Sequence, residues 1–333
     1  MRIVIFGGSG QVGRVLDRAL SGRGHEVVVV SRGAKGARAW DGRSIGPWTV
    51  LLEDADAVVN LAGRSVNCRY TRANLRAMMA SRVESTRVVG EAMARAKRPP
   101  RVWLQMSTAT IYAHTFGASH DEKTGVLGGD ERGVPAYWKT SIDIAQAWER
   151  EQAKAATPST RKVVLRSAMV MSPDRGGVFD VLLGLVRRGL GGPAAGGRQY
   201  VSWIHERDFA RAVEMLLERD DLEGPFNLSS PGSLPQREMM ATLRRAAGVS
   251  LGLPAMKWML EIGAFFLRTD TELLLKSRRV APGRLLDAGF AFEFPDWAAG
   301  AEDLVRRWRA GSGREASASS RLKRGSRSAM LSP

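Results

Sequence analysis

One cysteine, Cys68, stands in a chain of 333 residues. No internal disulfide can form, and a reducing, cytoplasmic location is expected. Long apolar runs are also missing. The most hydrophobic stretch, MKWMLEIGAFFL, is interrupted by Glu261 and is too short to cross a bilayer, so it is expected to be a buried or amphipathic helix. The first strand is expected to begin at Arg2, which leaves no place for a charged segment followed by a cleavable apolar one. Acidic residues are scarce as well, 34 against 50 Lys and Arg, for a net charge of +16. That excess invites a nucleic-acid reading, but it is spread along the chain without a dense basic block or interleaved aromatics, which argues against such a partner. Its one local concentration is the tail at 311–333, GSGREASASSRLKRGSRSAMLSP, where five basic residues face Glu315 alone. Rich in Ser, Gly and Ala and without a periodic apolar face, this tail is expected to be disordered. There is no internal repeat.

What is present is a rhythm. RIVIF is a short continuous apolar run, as a buried parallel strand requires, and VGRVLDRALSGRG then sets Val12, Val15, Leu16 and Leu20 on one helical face before stopping at glycine. EVVVV, DAVVNLA and RVWLQMS read as further strands, with a long helix from TRANLRAMMASRVESTRVVGEAMARAK between the last two, and KVVLRSAMVM as the next strand. This alternation implies an α/β fold of the Rossmann type, a doubly wound parallel sheet whose ligands sit beyond the carboxyl ends of the strands. The expected nucleotide-binding domain spans 1–170, with later segments near 201–229 completing the sheet. Residues 171–310 are expected to form a smaller C-terminal substrate-side lobe, containing RDFARAVEMLLE, PQREMMATLRRAAG and PDWAAGAEDLVRRW as helices.

The turn after RIVIF can be read in two registers. Gly8, Gly10 and Gly13 fit G-x-G-x-x-G, and Gly7, Gly10 and Gly13 fit G-x-x-G-x-x-G. Either way, glycine allows a tight turn and close approach of a pyrophosphate to backbone N–H groups at a helix N-terminus. The motif's context, a strand before it, an amphipathic helix after it and a second strand beyond, is the one that dinucleotide binding needs. An acid at the end of the second strand would accept hydrogen bonds from the ribose hydroxyls and repel a 2′-phosphate. This chain has Ser31 and Arg32 there, a hydroxyl and a guanidinium suited to a phosphate dianion, so the expected cofactor is NADP(H). The alternative is that Arg32 is a solvated surface residue.

The segments GGSGQVG, VSR, VVNLAG, SRVESTR, VVLRSAMV, WIHERDFARA, GPFNLSSP and RRVAPGRLLDAGFAFEFP together resemble the short-chain dehydrogenase/reductases, in the atypical extended branch of NAD-dependent epimerase/dehydratase-like (YfcH-like) proteins. The resemblance runs to about Arg307. It implies a domain binding NADP(H) through Gly7, Ser9, Gly10, Gln11, Val12 and Gly13 in the turn, Ser31 and Arg32 after the second strand, Leu61 and Ala62 beside the adenine-side crevice, Arg82 reaching the cofactor, and Val170. A small family-specific C-terminal domain would follow.

In that superfamily a Tyr-x-x-x-Lys pair exchanges a proton with the substrate oxygen, the lysine lowering the phenol's pKa, and a strand-end Ser or Thr hydrogen-bonds the same oxygen. In QMSTATIYAH, Ser107 and Thr108 occupy the strand end, and Thr108 matches the epimerase-like spacing better. Tyr137 is the expected tyrosine of PAYWKTSIDIAQAWE, but Ser141 stands where the lysine belongs and Lys139 points elsewhere on a helix. Tyr112 is an alternative acid or else a packed aromatic. His205 precedes Asp208, read as a cap for the following helix, and is either structural or at the edge of a substrate pocket. His114 and His120 lie in a polar loop with no ligand-spaced Cys or carboxylate, so no metal site is expected. The expected function is an oxidoreductase or epimerase acting on a small carbonyl or sugar-like substrate, the alternative a non-catalytic NADP(H)-binding regulatory or redox-sensing protein. If Arg32 pairs with the 2′-phosphate, NADPH should bind ahead of NADH by roughly 1–3 kcal/mol, and Arg32→Asp should reverse the order in a fluorescence titration.

Overall fold

The computed structural model describes residues 1–255 and 272–311. The apolar stretch around Glu261 and the basic tail beyond Gly311 lie outside the described residues. The strands are β1 Arg2–Phe6, β2 Glu26–Val30, β3 Ala57–Asn60, β4 Val102–Thr108, β5 Arg161–Ser167, β6 Met169–Met171, β7 Tyr200–Val201, β8 Trp203–His205, β9 Gly224–Leu228 and β10 Leu234–Pro235. Six of them form one sheet in the order β2-β1-β3-β4-β5-β9, with every neighbouring pair parallel. Parallel strands are covered on both faces, which is why β1 and β3 read as unbroken apolar runs.

The period of two along β1 decides which layer each side chain joins. Ile3 and Ile5 face a core built with Leu16 and Leu20 of helix α1, Gln11–Ser21, and with Phe209, Val213 and Leu216 of α5, Glu206–Glu218. Val4 and Phe6 face the opposite core, with Val88, Val89 and Met93 of α2, Arg72–Arg95, and with Trp40 and Trp48. Between β2 and β3 no strand forms. The chain makes two 3-10 turns there, Gly36–Arg38 and Pro47–Leu52, and the two tryptophans meet Phe6 edge-on at 4.8 and 5.1 Å. Helix α3, Trp138–Lys154, lies beside α2.

The run KVVLRSAMVM, expected as one strand, is divided at Ala168. Its first part is β5 of the main sheet, whereas β6 turns away to pair with β8. That departure carries the chain into the second lobe, where α4 Val178–Arg187, α6 Gln236–Ala247 and helical residues 297–311 pack around Trp203, Trp297, Met240 and Leu304. No helix among the described residues is long and apolar enough to cross a membrane.

The junction of the two lobes corrects the expected helix cap. His205 itself caps α5, its Nδ1 accepting from the Arg207 N–H at 3.1 Å, and Asp208 lies inside the first turn. Asp208 accepts instead from the backbone N–H groups of Glu293 and Phe294, both at 2.8 Å, and from Arg211. Because Nδ1 of His205 is an acceptor, the neutral ring carries its proton on Nε2, which reaches Asp303 at 3.2 Å, while Phe294 stacks on the ring at 3.9 Å. Burial pushes the His205 imidazole below its ordinary pKa, outweighing the attraction of Asp303, and Arg307 and Arg207 add repulsion. The native state therefore resists a proton that the unfolded chain accepts. Stability is complete above pH 6.5, the ordinary imidazole value, and is lost progressively below it. Urea unfolding at a series of pH values should show this fall, and His205→Gln should lessen its slope.

Candidate active site

β1 is flanked by β2 on one side and β3 on the other, so the connections leave the sheet in opposite directions and open a crevice beyond Phe6 and Asn60. The turn that enters it is sterically committed. Gly7 has φ +74°, and a Cβ there would lie 2.8 Å from the Ala62 backbone. A Cβ on Gly13 would lie 2.3 Å from the Cα and carbonyl oxygen of Gly8. Gly8 meets only the side chains of Val29 and Ile5, so the positions that backbone atoms close to a side chain are Gly7 and Gly13, which favours the register that begins at Gly7. Gly10, at the N-cap of α1, has 3.7 Å to its nearest neighbour, which leaves the approach to the helix end open.

That helix end offers unspent donors. No side chain caps α1 and no acid stands in its first turn, so the leading N–H groups, including those of Gln11, Val12 and Gly13, are free for an anion. The buried Nε2 of Gln11 has no hydrogen-bond acceptor, and Gly177 is pressed against it so closely that a Cβ would come within 2.3 Å. The exposed Ser9 contributes a carbonyl that accepts from Arg14 at 3.0 Å. Leu61 and Ala62 lie at the crevice floor, Leu61 bonded through its N–H to Phe6 O at 2.9 Å and Ala62 through its N–H to Asn60 Oδ1 at 3.1 Å. Val170 is packed in the main core.

At the end of β2, Ser31 is buried and Arg32 is exposed. The Ser31 N–H donates to the Arg38 carbonyl at 3.1 Å, and a bridge between Ser31 and Ala39 folds the 3-10 turn back beside the strand end. Arg38 is thus a second exposed cation at this corner. Sequence reading missed it, although SRGAKGAR carries the signal of basic residues one short turn apart.

Further along the strand ends, a cavity of about 100 Å³ is lined by Thr108, Thr110, Ser141, Tyr70, Glu272, Arg278, Arg82 and the apolar Val66, Met78, Ile144, Ala145 and Trp148. Of the four hydroxyl candidates for catalysis, Thr108 alone lines it. Thr108 Oγ1 accepts from the Thr110 N–H at 3.1 Å, which leaves its proton to donate. Ser107, on the other face of β4, donates to Glu149 at 2.6 Å. Glu149 is gripped by Arg166 through Nε and Nη2 at 2.9 and 2.8 Å, and Arg166 Nη1 donates to the Tyr112 hydroxyl at 2.9 Å. The Tyr112 hydroxyl in turn donates to Asn227 Oδ1 at 3.0 Å, and burial pushes its pKa up despite Arg166. Ser107 and Tyr112 are therefore bound into a closed chain that ties β4, β5, α3 and β9 together. Tyr137 sits at the N-cap of α3, 40% exposed and outside the cavity lining. Ser141 donates to Glu272 Oε2 at 2.6 Å, and Lys139 pairs with Asp143 on the surface.

Arg82 is buried, its guanidinium over the Trp148 ring at 4.8 Å and its Nη1 donating to Met78 O at 3.1 Å. Burial lowers its pKa to about 10. Ser85 and Thr86 of the same SRVESTR segment are buried with it. The C-terminal segment supplies groups that sequence reading did not single out. Arg278 donates from Nε to Thr110 Oγ1 at 3.1 Å. Lys276, fully buried, donates to Thr110 O at 3.0 Å, and burial beside Arg278 brings its pKa down to about 8. His114 accepts the Ser277 N–H at 2.9 Å and so holds the polar loop onto this segment, whereas the His120 ring accepts the Val126 N–H at 3.2 Å within the loop and its backbone N–H donates to Arg279 O at 2.8 Å.

Residues 3–229 match the NAD dependent epimerase/dehydratase family, and residues 257–304 match a domain of unknown function, DUF1731. The chain is similar to the epimerase family protein SDR39U1 of Bos taurus, 33% identical over 311 residues that cover 92% of this chain and all of that protein. It is also similar to the epimerase family protein YfhF of Bacillus subtilis, 25% identical over 303 residues, 89% of this chain and 95% of that one. The crystal structure of human SDR39U1 (isoform 2) with NADPH superposes with a TM-score of 0.80 at 30% identity, covering 92% of this chain and 99% of that one. The Thermus thermophilus UDP-glucose 4-epimerase complex with NAD shares the fold, with a TM-score of 0.66 at 18% identity over 93% of this chain and 99% of that one.

The hydroxyl network makes its own prediction. Tyr112→Phe removes a donor to Asn227 and an acceptor from Arg166 in a buried setting, and should cost about 1–3 kcal/mol of stability in denaturant unfolding while leaving the cavity lining intact.

Proposed function

Because the chain belongs to the NAD dependent epimerase/dehydratase family, we propose that it is an NADP(H)-dependent oxidoreductase or epimerase acting on a small carbonyl or sugar-like substrate. One observation carries this reading. The uncapped N-terminus of α1, with its glycine turn, opens at the same end of the sheet as the cavity in which Thr108 keeps a proton to donate.

The residues present fit a dinucleotide. The backbone N–H groups at Gln11, Val12 and Gly13 would receive the pyrophosphate, with the orphaned Gln11 amide beside them. Ser31 and Arg32, reinforced by Arg38, would hold the 2′-phosphate, in keeping with the NADPH bound to human SDR39U1. Leu61 and Ala62 would border the adenine-side crevice, and Val170 would back the cofactor from β6. When bound, the cofactor supplies or accepts a hydride at a carbon bearing oxygen. Thr108 orients that oxygen by donating its hydroxyl proton to it, an interaction that strengthens as negative charge develops there. The apolar wall of Val66, Met78, Ile144 and Trp148 keeps water from the reacting atoms.

A second reading rests on the departure at α3. With Ser141 in place of lysine and Tyr137 outside the cavity, no tyrosine–lysine pair exchanges the proton, which favours an NADP(H)-binding regulatory or redox-sensing protein. In either case a cytoplasmic protein without a nucleic-acid partner is our reading. Steady-state turnover with NADPH over a panel of aldehydes, ketones and keto sugars separates the two. Thr108→Ala should lower turnover about a hundredfold with NADPH affinity unchanged. A protein that binds NADPH tightly yet reduces nothing in the panel would favour the second reading.

A further inference from the structure

We propose that the mouth of the cavity is a docking surface for an acidic protein partner, received by Arg64, Arg72 and Arg76 beside Val66. These arginines are separate from the groups that fit the cofactor, and the inference goes beyond the NADP(H) reading without depending on it.

Between Asp56 and Glu84 the chain holds five arginines and no acid. Arg82 is buried and Arg69 half-buried, whereas Arg64, Arg72 and Arg76 are exposed. Arg72 opens α2 directly after its N-cap, Thr71, and no acid stands in that first turn. A cation there opposes the positive end of the helix dipole, and Arg76, one turn further on, repels it across about 6 Å. Arg64 joins the pair from the preceding loop, its N–H donating to Ser81 Oγ at 2.9 Å and its Nη2 to Asn74 Oδ1 at 3.1 Å. Among the described residues none of these three arginines forms an ion pair. Further along the same helix the charges are matched, Glu84 with Arg43 at 3.1 Å and Arg87 with Glu91. The first turns of α2 thus carry a charge arrangement that costs stability in the isolated chain and that an external anion offsets.

The layout selects a macromolecule. A small anion is held by buried polar groups that converge on it, whereas these guanidiniums are exposed and distributed over a loop and two helical turns. Val66, in the loop between Arg64 and Arg72, is 41% exposed and with Tyr70 also lines the cavity, which puts the arginines at its mouth. An apolar residue within a charged rim is the anatomy of a protein–protein interface, and complementary charge on the rim steers the encounter. Arg72 and Arg76 have the spacing of carboxylates at i and i+4 on a partner's helix. A nucleic acid would call for aromatic side chains on which bases stack, and the exposed hydrophobic residue of this loop is a valine. A partner seated here covers the entrance to the cavity and so governs what enters it.

Two dye-labelled helical peptides are the probes, one with glutamates at i and i+4 along a face and the other with glutamines in their place. In anisotropy titrations of the full-length protein at low salt, the glutamate peptide should bind about tenfold more tightly than the glutamine peptide. Replacing Arg64, Arg72 and Arg76 together by Gln should abolish that preference with NADPH affinity unchanged, whereas replacing Arg188, Arg198 and Arg245, exposed on the second lobe, should preserve it. Cys68, half-buried in the same loop, reports the position, and the glutamate peptide should slow its alkylation by N-ethylmaleimide severalfold. Because like charges are removed, the variant at Arg64, Arg72 and Arg76 should unfold in urea at the same midpoint or a higher one. A lower midpoint, or a loss of NADPH affinity, would show that these arginines serve the fold or the cofactor and would overturn the proposal. So would equal affinity for the two peptides, an equal loss in the second-lobe variant, Cys68 alkylation that the peptide does not slow, or tighter binding of a single-stranded oligouridylate than of the glutamate peptide.

Discussion

The approach of Gly13 to the backbone of Gly8 is the contact on which the cleft depends. No side chain can be placed between them, because even a methyl group would come within 2.3 Å of main-chain atoms. With that contact made, α1 can lie on the turn that leaves β1, and its first N–H groups face the crevice instead of the protein. Gly7 completes the arrangement by letting the turn touch Ala62 at the end of β3. The glycine turn and the end of β3, remote in sequence, are thereby brought to one point, at the place where the sheet connections diverge. The energetic return comes from the apolar faces below, where α1 and α5 cover β1 and β3 on one side and α2 covers them on the other.

A second constraint explains why residues that look catalytic are not all in the cavity. Successive side chains of β4 point to opposite faces, so Ser107 and Thr108 cannot both reach one substrate. Thr108 lines the cavity, and Ser107 joins Glu149, Arg166, Tyr112 and Asn227. A buried carboxylate and guanidinium are tolerable only when their remaining donors and acceptors are satisfied, and the hydroxyls of Ser107 and Tyr112 do that. Burial disfavours the Arg166 charge, yet Glu149 and Tyr112 more than offset it and hold its pKa above the ordinary value. The network joins α3 to three strands of the sheet, and its hydroxyls are structural for that reason.

The C-terminal segment closes the site from the other lobe. Glu272, Lys276 and Arg278 converge on Thr110 and Ser141, and the bridge between His120 and Val280 holds the polar loop to them. This end of the cavity is thus shaped by residues remote in sequence from those they meet, as the Ser141–Glu272 separation of 131 shows.

Much of this was legible in the sequence because the signals are local. The apolar runs of β1 and β3, the helical spacing of Leu16 and Leu20, the glycine turn and the basic end of β2 depend on neighbours within a few positions, and each is specified by steric or hydrophobic patterning that needs no partner to be recognised. The choice of glycine register was not legible, since it turns on Ala62 packing against Gly7. The division of KVVLRSAMVM at Ala168 and the capping of α5 by His205 instead of Asp208 likewise depend on β8 and on the segment at Glu293 and Phe294. Arg82 shows the limit most clearly. The resemblance singles it out as a group that reaches the cofactor, but only the approach of Trp148 from α3 and of Gly63 from the loop after β3 buries its guanidinium. Local sequence determined the elements, the glycine turn and the basic end of β2, because backbone sterics and periodicity act over a turn or two. The tertiary structure decided which polar side chains face the cavity and which are consumed by one another, because burial and pairing of charge are properties of groups that meet only when the chain has folded.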